Sequence, residues 1–300
     1  MLKKIITIVG PTGIGKTDLS LKLAEHFKTE IISADSRQFF KEIPIGTAAP
    51  TAKELQRVKH HFIHHKSIKE SYNVGDFETE AINCITQLHF NNDVLIVVGG
   101  SGLYVKAITE GLDAFPQVDS SIRKTLNTIL ETEGLKPLQQ ELKNSDPISY
   151  VNLDLNNPHR VIRALEICRG TGRPFSGFLN NKTRVRNFET VAIGLTADRD
   201  VVYNRINLRV DQMMENGLLD EVKSVYLYNN LNALNTVGYK ELFKYLDNQW
   251  TLEFAVSEIK KNTRRFAKRQ FTWFNKQPNT KWFNYNDEFS TIIAYLESVL

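Results

Sequence analysis

A glycine-rich stretch near the start of the chain has the residue types and the spacing of a phosphate-binding loop. Glycines let the backbone turn so that successive N–H groups point at phosphate oxygens. In the pattern G-x-x-x-x-G-K-T the lysine reaches the outer phosphate and the threonine hydroxyl is a ligand for Mg²⁺. The sequence therefore predicts a site for a diphosphate or triphosphate with magnesium. The loop consists of Gly10, Pro11, Thr12, Gly13, Ile14, Gly15, Lys16 and Thr17.

The segments on either side of this loop are those that such a motif requires. An apolar run at residues 5–9 predicts a buried strand, and the spacing of Leu19, Leu23 and Phe27 predicts a helix. A strand, a loop and a helix in this order indicate an α/β core with a mostly parallel sheet, flanked by helices and similar to the P-loop NTPases.

An acidic residue follows the next predicted strand, Ile31 and Ile32, at Asp35. Because ligands in open α/β sheets bind beyond the carboxyl ends of the strands, we expect Asp35 to face the phosphate loop. From its position alone, this carboxylate could bind Mg²⁺, accept a proton, or cap the following turn.

A further β-branched run at residues 93–98 predicts a central parallel strand that ends in Gly99. Many phosphate-loop NTPases have a metal-binding aspartate at the end of such a strand. The glycine argues against an ATP-hydrolysing motor or switch and predicts a close approach of backbone to a ligand. Ser101 is the polar group expected there, although it could equally be a turn residue.

Basic residues are concentrated in three segments. Residues 160–186 contain seven arginines and lysines against the single acid Glu166, and residues 260–269 of a helix expected to begin at Thr251 contain six with no acid. Such surfaces are either solvated or bind a polyanion such as RNA. Arg205 and Arg209 share one face of another predicted helix and match a pyrophosphate.

Composition limits the remaining possibilities. The chain has 300 residues, a net charge of +4 and two well-separated cysteines, which is typical of a reduced, cytoplasmic protein. No stretch is long enough for a transmembrane helix. We expect a core of residues 1–116 and 190–300 and a helical insertion at 117–189. Four histidines at residues 60–65 lack matching acids or cysteines, so a polar patch is favoured over a metal site.

In combination, these motifs resemble those of the tRNA dimethylallyltransferases, also called tRNA isopentenyltransferases, over nearly the whole chain. The phosphate loop is common to many enzymes, but the ordered set is specific. Its other parts are residues 35–38, 45–48, 60–61, 98–104, 158–166, 217–222, 237–241 and 267–273.

The resemblance implies transfer of a dimethylallyl group from its diphosphate to the exocyclic amine of the adenine next to the anticodon. It implies that Lys16, Thr17 and Arg209 hold the diphosphate and Mg²⁺, and that Asp35 is the general base. It also implies binding of the tRNA anticodon stem-loop, and we expect a monomer. The residues implied in tRNA binding are Asp35, Ser36, Arg37, Gln38, Ser101, Arg123, His159, Arg160, Val161, Ile162, Arg163, Asn235, Thr236, Val237, Gly238, Tyr239, Lys240, Lys268, Arg269, Gln270 and Trp273.

The chain departs from the family pattern at two positions. Ala49 stands where a lysine is usual, and His64 stands where an aspartate often follows the histidine pair. The chain also ends without the zinc finger of eukaryotic members. Other functions that would use the same loop are those of a small-molecule kinase, a transferase acting on free adenine nucleotides, and a non-catalytic RNA-binding protein.

Overall fold

The computed structural model describes residues 3–179 and 184–300, and the chain divides into two compact units. The first comprises Met1–Glu110 and Val185–Leu300, and the second comprises Gly111–Arg184. The sequence placed the insertion at residues 117–189, so both boundaries of the second unit fall a few residues earlier in the chain.

The first unit is built on a parallel sheet, as the sequence predicted. Within the described residues its six strands have the order β3-β2-β4-β1-β5-β6 and every neighbouring pair is parallel. Alternate side chains of the central strand enter two separate apolar clusters, Ile5 in one and Ile6 with Ile8 in the other, because successive strand residues point to opposite faces. The strands are β1 (Lys4–Val9), β2 (Ile31–Ser33), β3 (His60–His61), β4 (Val94–Val98), β5 (Glu189–Thr196) and β6 (Thr280–Asn284).

Helices cover both faces of this sheet and form most of the second unit. In the first unit, α1 (Lys16–Phe27), α2 (Ala52–Arg57), α3 (Val74–Leu88) and α4 (Gly102–Thr109) precede the insertion. The second unit contains α5 (Ser120–Glu133), α6 (Leu135–Ser145), α7 (Pro147–Asn152) and α8 (Pro158–Thr171), with a short 3-10 helix at Phe175–Phe178. The first unit then continues with α9 (Arg199–Glu215), α10 (Leu218–Val225), α11 (Tyr239–Leu246), α12 (Leu252–Phe274) and α13 (Phe289–Val299).

The strand register brings the three predicted functional segments to one edge of the sheet. Val98 pairs with Ile8 of β1 and with Ser33 of β2. The phosphate loop, Asp35 and Gly99 therefore begin within two residues of the same level, beyond the carboxyl ends of adjacent strands.

The first two histidines of residues 60–65 form β3, and among the described residues no group of three or more His, Cys, Asp or Glu side chains could hold a metal. Asp198 lies at the N-cap of α9, and its side chain makes no capping hydrogen bond. No helix in the described ranges is long and apolar enough to cross a membrane.

Candidate active site

A cavity of about 720 Å³ lies in the first unit at the carboxyl ends of β1, β2 and β4. The phosphate loop forms one part of its wall, and Asp35 with its neighbours Ser36, Arg37 and Gln38 forms another. The residues predicted from sequence therefore line one pocket, which contains both cations and a carboxylate.

The phosphate loop has the curled backbone that anion binding requires. Gly13 and Gly15 have φ values of 83° and 114°, a region that side chains other than glycine rarely adopt. The loop leads directly into α1, whose N-terminal N–H groups and partial positive charge favour an anion. Lys16 Nζ donates hydrogen bonds to the carbonyl oxygens of Gly10 and Pro11, at 3.0 and 2.8 Å.

Two arginines of α9, Arg205 and Arg209, lie near this loop and make different contacts. Arg205 Nε donates a hydrogen bond to Gly13 O at 2.7 Å, so this arginine supports the loop backbone. Arg209, one turn further along α9, lines the cavity, and burial lowers its pKa from the ordinary value. Both members of the predicted arginine pair thus line the cavity, and Arg205 in addition supports the loop backbone.

The surroundings of Lys16 disfavour the charged form of its side chain. Burial, with a further contribution from Arg209, lowers the pKa of its ammonium group to about 7, while the nearby Asp35 acts in the opposite direction. A bound phosphate would relieve this strain, because it supplies the negative charge that the surroundings lack.

Asp35 is held by its own backbone and keeps one oxygen available. Its Oδ1 accepts hydrogen bonds from the backbone N–H groups of Arg37 and Gln38, at 2.8 and 3.2 Å. Within the described part of the chain, no hydrogen bond occupies Oδ2. Burial raises the pKa of Asp35, against the lowering effect of these N–H groups, Lys16 and Arg37. A carboxylate with a raised pKa is a stronger base than an exposed one.

The glycine that replaces an acid after β4 has a structural explanation that the sequence did not predict. A Cβ at Gly99 would lie 2.2 Å from Ala34 O of the neighbouring segment, so protein backbone alone already requires a glycine here. Gly99 also lines the cavity, and the close approach of a ligand at this position stays a prediction. Ser101 Oγ accepts a hydrogen bond from the backbone N–H of Ser36 and donates one to its hydroxyl. This serine therefore joins the two loops beside the cavity.

Gln38 was predicted to contact RNA, but its side-chain amide is already used within the protein. Nε2 donates to the carbonyl oxygens of Thr47 and Ala48, at 3.3 and 3.1 Å, and Oε1 accepts from Ser33 Oγ. Gln38 therefore connects the Asp35 segment to the turn at residues 45–48. It also lines the cavity, and its contact with RNA stays a prediction.

That turn is fixed from the other side by an acid that lies in the matching segment 217–222 but had no role assigned from the sequence. The carboxylate of Glu221, on α10, accepts hydrogen bonds from the backbone N–H groups of Ile45 and Gly46, at 2.7 and 2.8 Å. It also accepts one from the hydroxyl of Tyr239. Tyr239 is fully buried, so its side chain does not offer the surface for the tRNA contact predicted for it. Asn235, Thr236, Val237, Gly238 and Lys240 do line the cavity.

Gln270 links α12 to the phosphate loop. Its Oε1 accepts a hydrogen bond from the backbone N–H of Thr12, and its Nε2 donates one to Gly100 O, both at 2.8 Å. Because Gln270 is buried, the RNA contact expected of this side chain is replaced by a role in shaping the loop. Trp273, one turn later, packs over Gly102 and remains partly exposed.

The basic face of α12 is only partly free. Lys260 pairs with Asp211 on α9, Lys261 pairs with Glu258 on α12, and Arg264 donates to Asn207. Lys268 and Arg269 are exposed, with Arg269 lying over the Phe266 ring. The exposed cations of the predicted basic face are therefore Arg265, Lys268 and Arg269, in the C-terminal half of the helix, and their binding of a polyanion stays a prediction.

The residues of the second unit predicted to contact tRNA divide into surface and core positions. His159 and Arg160 are exposed at the start of α8, whereas Val161 and Ile162 are buried in that unit's apolar core. The buried pair was expected as contacts because it lies within the matching segment, and that expectation is wrong for its side chains. Arg123 and Arg163 are partly exposed and both bind Glu166. Lys182, part of the predicted basic segment, lies outside the described residues.

A magnesium ion would find a suitable but sparse donor set in this cavity. The Thr17 hydroxyl lines it, and no hydrogen bond from the described residues occupies that oxygen. Mg²⁺ commonly takes only one or two ligands from protein and the rest from water and substrate phosphates.

The fold and the site together define a class. A parallel sheet with a phosphate loop after a central strand is the architecture of the P-loop enzymes, and here Asp35 follows β2, which β4 separates from the strand that carries the loop. The sequence model of one family within this architecture, described as IPP transferase, matches residues 38–277. The chain belongs to the IPP transferase family.

Curated relatives agree along the full length. The chain is 58% identical over 298 residues to a tRNA dimethylallyltransferase from Christiangramia forsetii, covering 99% of both chains. It is 54% identical to a tRNA dimethylallyltransferase from Flavobacterium johnsoniae, covering 98% of this chain and 97% of the relative.

Solved structures give the same result. The full-length tRNA isopentenylpyrophosphate transferase from Bacillus halodurans is 40% identical, with a TM-score of 0.72, and the match covers 99% of this chain and 95% of that one. A eukaryotic dimethylallyltransferase acting on tRNA is 29% identical, with a TM-score of 0.80, covering 99% of this chain and 79% of that one. The predicted fold class and the predicted family are confirmed.

Proposed function

We propose that this protein transfers the dimethylallyl group of dimethylallyl diphosphate to the exocyclic amine of the adenine 3′ to the anticodon in tRNA. One observation carries the proposal: Lys16, Arg209 and Asp35 line the same cavity. The cavity thus offers cations for a diphosphate and a base for an amine. The relatives named tRNA dimethylallyltransferase support this choice of substrates.

The reaction needs charge neutralisation on one substrate. As the bond between the allylic carbon and the diphosphate oxygen breaks, negative charge develops on the leaving group. Lys16, Arg209 and the N–H groups of the phosphate loop stabilise that charge. Bound Mg²⁺, held by Thr17 and the diphosphate itself, would supply further positive charge.

The reaction needs a proton acceptor at the other substrate. The adenine nitrogen forms a bond to the allylic carbon and loses one proton. Asp35 accepts this proton through Oδ2, which contributes about 10²–10⁴ to the rate. The products are the N-dimethylallyl adenine and diphosphate, so atoms and charges balance without an oxidant or any other co-reactant.

An RNA substrate in a loop suits an enclosed cavity. The adenine must leave its stack to reach Asp35, which costs a few kcal/mol and costs less in a single-stranded loop than in a duplex. Exposed cations at Lys268 and Arg269 on α12 and at Arg160 on α8 are suited to the RNA backbone. Action as a monomer, in the cytoplasm, stays part of the prediction.

The proposal is tested by product analysis. The protein is incubated with Mg²⁺, dimethylallyl diphosphate and an anticodon stem-loop, and the RNA is digested to nucleosides for mass spectrometry. We expect an adenosine heavier by one dimethylallyl group at the position 3′ to the anticodon. Unmodified adenosine at that position, with a folded protein and intact donor, would contradict the proposal.

A further inference from the structure

Two arginines in the second unit share one buried acid. Arg123 binds Glu166 through two parallel hydrogen bonds, from Nε to Oε1 at 3.0 Å and from Nη2 to Oε2 at 2.8 Å. Arg163 Nη1 donates to the same Oε2 at 2.8 Å. Because both arginines contact one oxygen atom, their guanidinium groups are neighbours. We call Arg123, Arg163 and Glu166 the arginine fork.

The fork is asymmetric in its exposure. The Glu166 side chain is only 8% exposed, whereas those of Arg123 and Arg163 are 47% and 41% exposed. The acid lies on the protein side and the two cations lie toward solvent. Each arginine keeps N–H donors that Glu166 does not use, Nη1 on Arg123 and Nε with Nη2 on Arg163.

Aromatic packing fixes the fork further. The Arg163 guanidinium lies over the Phe115 ring, 5.2 Å from its centroid. Phe115 in turn stacks on Phe175, with centroids 4.9 Å apart and planes within 6° of parallel. A guanidinium held on one face by a ring and at one edge by a carboxylate has lost most of its rotamer freedom before any ligand binds.

The charge state of the fork is also defined. Hydrogen bonds from Arg123 and from Arg163 hold the pKa of Glu166 below its usual value, against the effect of burial. The fork therefore carries two positive charges and one negative charge at neutral pH, with the net positive charge on its exposed side.

We propose that Glu166 is a positioning residue that aligns Arg123 and Arg163 to bind one phosphate group of the RNA substrate. The inference deepens the proposed function, since it names how the second unit holds RNA. Two neighbouring guanidinium groups match a phosphodiester through several parallel N–H···O bonds, and their order in advance of binding reduces the entropy lost on association.

The alternative role for Glu166, simple neutralisation of surface charge, predicts a change in RNA affinity of the opposite sign. If Glu166 only neutralises surface charge, its removal raises the net charge by one from +4 and tightens RNA binding. If Glu166 positions the fork, its removal weakens binding although the protein becomes more basic. The sign of the change decides between the two.

The test is Glu166→Gln, with the dissociation constant for tRNA measured by filter binding at fixed salt. Glutamine keeps the shape but has one acceptor oxygen in place of two, so at most part of the fork survives. We expect the dissociation constant to rise about tenfold, KM for tRNA to rise with it, and kcat at saturating tRNA to stay within about twofold of wild type.

Glu141→Gln is the matched control. Glu141 binds Arg169 in the same unit through two bonds of the same kind, from Nε and Nη2 at 2.6 and 2.7 Å, but no second arginine among the described residues binds it. This control should leave tRNA affinity unchanged or slightly increased. Unchanged or tighter binding by Glu166→Gln would overturn the proposal.

A second variant covers the case in which Glu166→Gln fails to fold. Arg123→Lys keeps the charge but cannot form the parallel pair of bonds, and its melting temperature reports folding. We expect it to weaken tRNA binding severalfold, and unaltered binding by a folded Arg123→Lys protein would also overturn the proposal. Failure of wild-type protein to modify tRNA would instead count against the proposed function and leave the sign test of tRNA affinity intact.

Discussion

At Asp35, burial and hydrogen bonding act in opposite directions on one carboxyl group. Burial raises the pKa, and the N–H groups of Arg37 and Gln38 together with Lys16 lower it, with burial the stronger effect. The result is a base that is stronger than a solvent-exposed aspartate and still held in a fixed orientation. This combination suits a group that must take a proton at one defined point.

Asp35→Asn should separate catalysis from binding. The asparagine oxygen can still accept the N–H groups of Arg37 and Gln38, so we expect tRNA affinity within about twofold of wild type. Loss of the base should lower kcat by about 10²–10⁴. Asp220→Asn, at an exposed acid that pairs with Lys223, is the control. Equal losses of affinity and turnover in Asp35→Asn would reassign Asp35 to RNA binding.

The same carboxylate sets a pH dependence for wild-type enzyme. Because Asp35 must be ionised to accept a proton and its pKa is raised, kcat should fall as pH decreases through a value above the ordinary aspartate pKa of about 3.9. The acidic limb of a kcat–pH profile measures this value. A profile that stays flat down to the ordinary pKa would contradict the assignment.

Lys16 should take up a proton when the donor binds. Its pKa of about 7 in the free protein means that most of the ammonium groups are deprotonated at pH 8, and a diphosphate next to Lys16 and Arg209 raises that pKa again. We expect uptake of about one proton per donor bound at pH 8. Titration calorimetry in two buffers of different ionisation enthalpy measures it, and Lys16→Met should abolish it. No uptake by wild type would contradict the low pKa.

The sequence revealed the residues whose chemistry depends on their type and local spacing. Lys16, Thr17 and Asp35 follow predicted strands directly, so their meeting at one edge of the sheet could be derived. Glu221 and Glu166 could not be found in this way, because an acid on a helix is ordinary until its partners are known. Glu221 is 176 residues away from its partner Ile45, and Glu166 is 43 residues away from its partner Arg123.

At the scale of elements, the cavity wall is held in place by contacts between distant segments. Gln270 of α12 and Arg205 of α9 both bind the backbone of the phosphate loop. Glu221 of α10 binds the turn at residues 45–48, which Gln38 connects to Asp35. The loops that carry the chemistry are thus positioned by helices from the last third of the chain.

Glu221→Gln should loosen this turn. The substitution removes one acceptor from two backbone N–H groups and the Tyr239 hydroxyl, which costs about 1–3 kcal/mol of stability. We expect a lower melting temperature, faster hydrogen exchange at residues 45–48, and a larger loss in kcat than in tRNA affinity. Tyr239→Phe keeps the buried ring and should have a smaller effect of the same kind. A destabilised Glu221→Gln protein with normal kcat would show that Glu221 stabilises the fold and does not affect catalysis.

The end of α12 should determine the salt dependence of tRNA binding. Replacing Lys268 or Arg269 by alanine removes an exposed cation, so the slope of log K against log salt concentration should decrease by about one for each phosphate that the variant no longer neutralises. Lys261→Ala is the control on the same helix, since Lys261 is already paired with Glu258. If the slopes of both the Lys268→Ala and the Arg269→Ala proteins equal the wild-type value, this surface does not bind the RNA backbone.

The helical pattern of α12 was predictable, but its pairing was not. Thr251 does cap the helix as expected, with its hydroxyl oxygen accepting the N–H of Phe254. The lysines at 260 and 261 looked as free in the sequence as that at 268. Glu258, which binds Lys261, lies three residues earlier on the same helix. Asp211, which binds Lys260, lies on another helix, so that pairing depends on the packing of α9 against α12.

At the scale of the whole molecule, one sheet positions both the phosphate loop and the Asp35 carboxylate. β1 carries the loop, β2 leads to Asp35, and β4 lies between them with Gly99 packed against Ala34. An acid after β4 would face this crowded backbone. The two loops that line the cavity thus follow the strands on either side of β4, and the backbone of Ala34 leaves no room for a side chain at position 99.

The most direct measurement follows the two halves of the donor separately. Dimethylallyl diphosphate labelled with deuterium at the allylic carbon is incubated with protein, Mg²⁺ and tRNA, and labelled adenosine and free diphosphate are both quantified. We predict one labelled dimethylallyl group on RNA for each diphosphate released, with neither product when Asp35 or Lys16 is replaced. Transfer of a phosphoryl group, or release of diphosphate without labelled RNA, would contradict the account.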